Sequence, residues 1–169
     1  AQDCAAMREL LADKAAFDQA RLHTLMLENV LNGRTVLDLL ASLALLYRPR
    51  LLMFLFTGHG SAPSPSSPSS LCFQRGPDAA VGAVQLAPLL CACRAQTTMV
   101  LLDCCHSTGI LRSSFGFPGL VVVPACGDSQ EVGRGFTSNI LVPMLRGRYC
   151  VDCPEFCSTD RVRLLPFLE

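Results

Sequence analysis

The stretch Thr98–Gly109 (Thr-Met-Val-Leu-Leu-Asp-Cys-Cys-His-Ser-Thr-Gly) restricts the fold of this 169-residue chain more than any other. Met99–Leu102 is wholly apolar and suits a short strand buried on both faces. The run stops at Asp103, Cys104, Cys105, His106 and Ser107, a set that packing alone does not ask for. An earlier stretch has the same grammar: Leu51–Phe56 is apolar throughout and breaks into Thr57-Gly58-His59-Gly60. In an open parallel sheet, functional groups collect just beyond the carboxyl ends of the strands. Two adjacent strands ending in His59 and Cys105 would therefore set a base beside a thiol.

The intervening pattern fits such a sheet. Met7, Leu10, Leu11, Ala15 and Phe17 recur at helical spacing and predict an amphipathic helix over residues 4–18. Arg21–Val30 reads as a short strand and Asn32-Gly33 as a turn. Thr35 is a candidate cap for a helix with Val36, Leu39, Leu40, Leu43 and Leu46 on one face, ended by Arg48-Pro49. Gln85–Cys93 predicts a further helix, Leu120–Val123 a third apolar strand ending at Pro124-Ala-Cys-Gly, and Thr137–Arg146 a last helix interrupted by Pro143. Ser61–Ser70, nearly all Ser and Pro, reads as a mobile loop beside His59. Alternating helices and strands imply an α/β fold, a mostly parallel sheet flanked by helices.

Composition narrows the function. Fourteen acids balance fourteen scattered bases, which leaves no electrostatic footprint for nucleic acid. No uninterrupted apolar run approaches the ~18–20 residues that span a bilayer. Ten Cys fall short of a disulfide scaffold. Cys91, Cys93 and Cys126 sit in strand or helix patterns where a reduced thiol packs as a small hydrophobe, which points to a reducing, cytoplasmic setting.

Nucleophilic catalysis by Cys needs a base and an oxyanion site. His59 is the candidate base, Cys105 the nucleophile, and the backbone N–H groups of Gly60 and Cys105 the candidate oxyanion donors. Gly58 and Gly60 allow the tight turn that aims the imidazole. The bland alternative is an incidental His in a glycine turn and a packed Cys. Each residue ending a buried strand favours the chemical reading.

Phe56-Thr-Gly-His-Gly resembles the His motif of caspase-like cysteine peptidases, and Asp103-Cys-Cys-His-Ser resembles the Asp-x-Cys-His-Ser motif of metacaspases. The spacing of His59 and Cys105 is close to the roughly 50 residues between His and Cys in caspases, which carry Gln, not Asp, two residues before the Cys. Asp3-Cys-Ala-Ala-Met7 with Leu10-Leu11 is similar to the start of the family's first helix, and Gly135-Phe136-Thr137 with Leu141 to a later strand-to-helix segment. The likeness covers residues 2–147. It implies a caspase-like three-layer sandwich over residues 1–148, lacking the family's first strand, with 149–169 as an extension. It also implies an endopeptidase that cleaves protein or peptide substrates after Arg or Lys. Asp103 and Asp3 would match the acidic pair lining the specificity pocket. The resemblance leaves the chain a monomer or weak homo-oligomer.

Many metacaspases bind calcium through acids between the two motifs. Here that interval holds only Asp78, too few for an ion that takes 6–8 oxygens. Cys150, Cys153 and Cys157 offer three ligands with no nearby His for a structural zinc. No cofactor is therefore expected. The alternative function is a catalytically inactive or truncated caspase-like domain acting as an interaction module.

Overall fold

The computed structural model describes residues 2–13, 22–65, 67–74, 78–110, 118–127 and 135–146. The expectations for Ala15, Phe17 and the 149–169 extension, with Cys150, Cys153 and Cys157, lie outside the described residues. The chain divides into two units, Leu27–Val132 and a second formed by Ala1–Met26 with Gly133–Glu169.

The larger unit holds three parallel strands: β1 (Leu51–Thr57), β5 (Thr97–Asp103) and β6 (Leu120–Pro124), in the order β1-β5-β6. These are the three apolar runs expected from the sequence. Central β5 is paired on both sides, and Thr98 to Asp103 are buried without interruption. β1 pairs only with β5 among the described residues, and all seven of its residues are half-buried.

Two helices cover one face. α2 (Gly33–Leu46) and α3 (Ala83–Ala92) bring Leu37, Leu40, Leu86 and Leu90 onto Val100 and Leu102 of β5. Each fully buried Leu contributes roughly 1.5–3 kcal/mol of apolar burial. The start of α2 differs from expectation. Asn32 is its cap, with Oδ1 accepting from the Thr35 N–H at 3.1 Å, and Gly33 is the first helical residue rather than part of a turn. Thr35 is thus the capped residue, not the cap. Gly33 is needed there because a Cβ would strike Val81 and the Asp78 carbonyl, which already accepts from Gly33 N–H at 3.0 Å. That contact turns the buried face to Gly33, Leu37, Leu40 and Ala44, leaving Leu45 and Leu46 82% and 74% exposed. Leu46 therefore leaves the core face, while Val36 and Leu43 stay at its margin.

Ser61–Ser70 is not a loop outside the packing. β2 (His59–Ser61), β3 (Ser70–Cys72) and β4 (Ala80–Val81) form a small antiparallel sheet. The Ser/Pro tract is the connection of its first hairpin, with Ser64 and Ser67 exchanging backbone hydrogen bonds at 2.7 and 3.2 Å. Side-chain hydroxyls make the pairing possible: Ser61 Oγ lies 2.8 Å from Ser70 Oγ and accepts from the Ser70 N–H at 3.2 Å. Ser69 and Ser70 are buried. The described part of the expected Arg21–Val30 strand is irregular. Its leucines do not alternate, and Leu25 and Leu27 are exposed, so a ladder there would bury little.

The smaller unit pairs α1 (Gln2–Ala12) with a last helical stretch that opens as a π segment, Thr137–Leu141, and tightens into α5 (Val142–Leu145). The Val142 N–H reaches back to the Thr137 carbonyl, five residues away. Pro143 explains the widening. Its ring would clash with the carbonyl of residue 139 in a regular α-helix, and a π turn moves that group aside. Asp3 Oδ1 accepts from the Ser138 N–H at 2.9 Å, satisfying a donor in the first turn of this stretch.

Candidate active site

Parallel register decides which residues meet at the carboxyl end of the sheet. Thr57 lies opposite Asp103, and the Gly58 N–H donates to the Asp103 carbonyl at 3.1 Å. β1 and β5 therefore end level with each other. His59 follows immediately on one side and Cys104-Cys105 on the other. Close approach continues one residue further, because a Cβ on Gly60 would collide with the Cys105 carbonyl oxygen and sit 3.3 Å from Cys104 Sγ. Only glycine lets the two backbones touch there. His59, Gly60 and Cys105 are thus brought to the same end of the sheet within the larger unit.

The neighbourhood of each residue follows from its element. His59 is exposed at the start of β2, across the antiparallel pair from Cys72. Cys105 is half-buried in the turn after β5. His106 completes that turn with a φ of +55°, left-handed for a residue that is not glycine, and the chain then enters α4 (Ser107–Ile110). A strand, a tight turn and a helix project Cys105 from the sheet, an arrangement that such a backbone conformation costs roughly 1–3 kcal/mol to hold.

Hydrogen bonds from the loop after β6 hold it. Ser107 Oγ donates to the Cys126 carbonyl at 3.1 Å and accepts from the Cys126 N–H at 3.0 Å. Thr108 reaches the same carbonyl through Oγ1 at 2.7 Å and through its N–H at 3.2 Å. The sequence marks Ser107 only as a motif residue, and Thr108 and Cys126 carry no signal of this clamp. The available hint was that Leu120–Val123 ends, like the other two strands, in small residues.

The neighbouring thiols are unequal. Cys104 is completely buried, and burial first, then the nearby Cys126, Asp103, Cys105 and Cys72, push its pKa up to about 12. It stays protonated and packs against Leu102 and Ile110 as a hydrophobe.

Asp103, 6% exposed, closes β5 directly below Cys104 and Cys105. Asp3 belongs to the other unit, where its carboxylate is engaged by the Ser138 N–H. The fold joins Asp103 to the His59–Cys105 end of the sheet and gives Asp3 a helix-capping bond. Asp78, the one acid between the two motifs, lies 2.9 Å from the Arg34 guanidinium and 3.3 Å from Gln85 Nε2. A carboxylate so engaged does not fit a calcium site. No group of three or more His, Cys, Asp or Glu among the described residues is placed to hold a metal ion.

No protein-family model matches this chain, and neither the curated proteins nor the solved structures include a detectable relative. The chemistry of the site thus rests on its own residues. No helix among the described residues is long and apolar enough to cross a membrane.

Proposed function

We propose that the chain is a cysteine-type endopeptidase with a caspase-like fold, of the metacaspase kind, cleaving after Arg or Lys. One observation supports this above the rest: the β1–β5 register ends both strands at Thr57 and Asp103, with His59 and Cys105 each two residues beyond. In this reading His59 accepts the Cys105 thiol proton, and the thiolate attacks the substrate carbonyl. The N–H groups of Gly60 and Cys105 stabilise the oxyanion. Imidazolium then protonates the departing amine. Water, activated by the same imidazole, releases the acyl group from Cys105. Asp103 receives the basic side chain, Arg best because it bonds bidentately. The family resemblance makes Asp3 the second acid, and its carboxylate is engaged by the Ser138 N–H.

The reaction needs no cofactor and is assigned to the cytoplasm, with protein or peptide substrates and a monomeric or weakly self-associating chain. A second reading, an inactive caspase-like domain serving as an interaction module, is favoured by β1 pairing on one side only among the described residues. Labelling with an Arg-containing peptidyl electrophile separates them. The peptidase reading expects stoichiometric adduct on Cys105, lost in Cys105→Ala and strongly slowed in His59→Ala. Labelling no faster than that of Cys91, an exposed thiol away from the site, would leave the interaction module.

A further inference from the structure

A second pair of thiols sits beside the candidate dyad, on the other side of β5. Leu102 lies opposite Pro124, the last paired positions of β5 and β6, and the Ala125 N–H continues the contact to the Leu102 carbonyl at 2.9 Å. Extending that register by two residues along each chain pairs Cys104 with Cys126. The Cys104 side chain lies in the core with Val100, Leu102 and Val122. The Cys126 thiol donates to the Cys104 carbonyl at 3.4 Å. Neighbouring strands run about 4.7–4.9 Å apart. That lies inside the roughly 4.4–6.8 Å Cα separation that a disulfide spans.

We propose that Cys104 and Cys126 are a redox pair, closed to a disulfide by a hydroperoxide across the carboxyl ends of β5 and β6. Order of attack follows from exposure. Cys126 is half-buried and meets the oxidant first, whereas Cys104 is sealed in the core. The Cys126 sulfur takes one oxygen from hydrogen peroxide, giving a sulfenic acid and one water. The Cys104 sulfur then attacks the sulfenic sulfur, the S–O bond breaks, and the hydroxyl leaves with the Cys104 proton as a second water. Two thiols lose two electrons and two protons, and one peroxide is reduced to two waters. Closing the bond draws the Cys126 sulfur from the Cys104 carbonyl and from Ser107 Oγ, 3.6 Å away. The thiol contact to Ser107 Oγ, two residues from Cys105, is thereby lost.

The test uses the full, fully reduced chain, treated with hydrogen peroxide, blocked with an alkylating agent and mapped by mass spectrometry without reduction. The expected product is one peptide pair joined through Cys104 and Cys126. Because Cys104 and Cys105 are adjacent, Cys105→Ala assigns the partner, and it should form the link as well as wild type. That arm holds whether or not the chain is a peptidase. Cys126→Ser should lose the link. A bond from Cys126 to Cys105 or Cys72, or alkylation of both Cys104 and Cys126 after excess peroxide, overturns the proposal.

Discussion

Gly58 and Asp103 share the last rung of the β1–β5 ladder, an N–H to carbonyl bond of 3.1 Å joining residues far apart in the chain. Beyond it the two strands no longer bond to each other, and His59 and Cys105 project from neighbouring exits. Substituting either leaves the ladder intact. Cys105→Ala and His59→Ala should each lower peptidase turnover by about 10⁴-fold, and the double variant little further, since the two act as a unit. Circular dichroism and a fluorogenic Arg substrate check fold and rate together. Turnover by Cys105→Ala above a hundredth of wild type would remove Cys105 from the chemistry.

Gly60→Ala is the sharper test of the geometry. Its Cβ would collide with the Cys105 carbonyl, so β2 must separate from the turn. Overpacking of this kind costs typically about 1–3 kcal/mol. We expect a lower denaturant midpoint and a larger loss of activity than in Cys104→Ala. A Gly60→Ala protein as stable and as active as wild type would mean the backbones do not touch.

Cys104 gives stability a defined pH dependence. Its pKa is raised by burial from 9.0 to about 12, so the folded state holds the proton more tightly than the unfolded chain. The stabilisation is complete below pH 9 and lost as pH rises toward 12. Between those limits this one group should lower unfolding free energy by about 1.4 kcal/mol per pH unit. Denaturant titrations at pH 8 and 10 should show the slope, and Cys104→Ala should flatten it. An unchanged slope in that variant would assign the loss to other groups.

Specificity separates the two candidate acids. Asp103→Asn should reduce catalytic efficiency on Arg substrates roughly 10- to 150-fold, the worth of one charge-assisted pair of about 1.5–3 kcal/mol. Asp3→Ala should instead cost stability, about 1 kcal/mol, through the lost bond to Ser138 N–H. A peptide-library profile and a melting curve on each variant distinguish the roles. Cleavage after Asp by the parent chain would contradict the acidic pocket.

Calcium should matter little, because Asp78 already faces Arg34. Adding chelator to an active preparation should leave the rate within about twofold of the untreated enzyme. A steep, saturable recovery on returning calcium would show a ligand set that Asp78 does not represent.

Local signals made the strand ends legible. Leu51–Phe56 and Met99–Leu102 are unbroken apolar runs, and a change of composition marks where each stops. The α2 cap is ambiguous in the sequence because Asn32 and Thr35 are both good capping types, and only the Gly33–Asp78 contact selects between them. Ser61–Ser70 looked unable to pack because serine is polar. The Ser61 hydroxyl pairs with the Ser70 hydroxyl and the Ser70 N–H, a match visible only once the two residues face across a hairpin. Cys126 stayed silent for a related reason. Its place opposite Cys104 depends on strand register, which no single segment encodes.

The β1–β5 ladder also governs when the chain could become reactive during its own synthesis. Its partners lie on either side of the whole β2–β4 sheet and α3, so pairing them must close a loop that spans all of these elements. A nascent chain that has released β1 but not β5 possesses the imidazole without its thiol. A chain that has made both but not paired them holds the two groups apart by a flexible segment. On the proposed peptidase reading, reactivity therefore arrives with the sheet and not before.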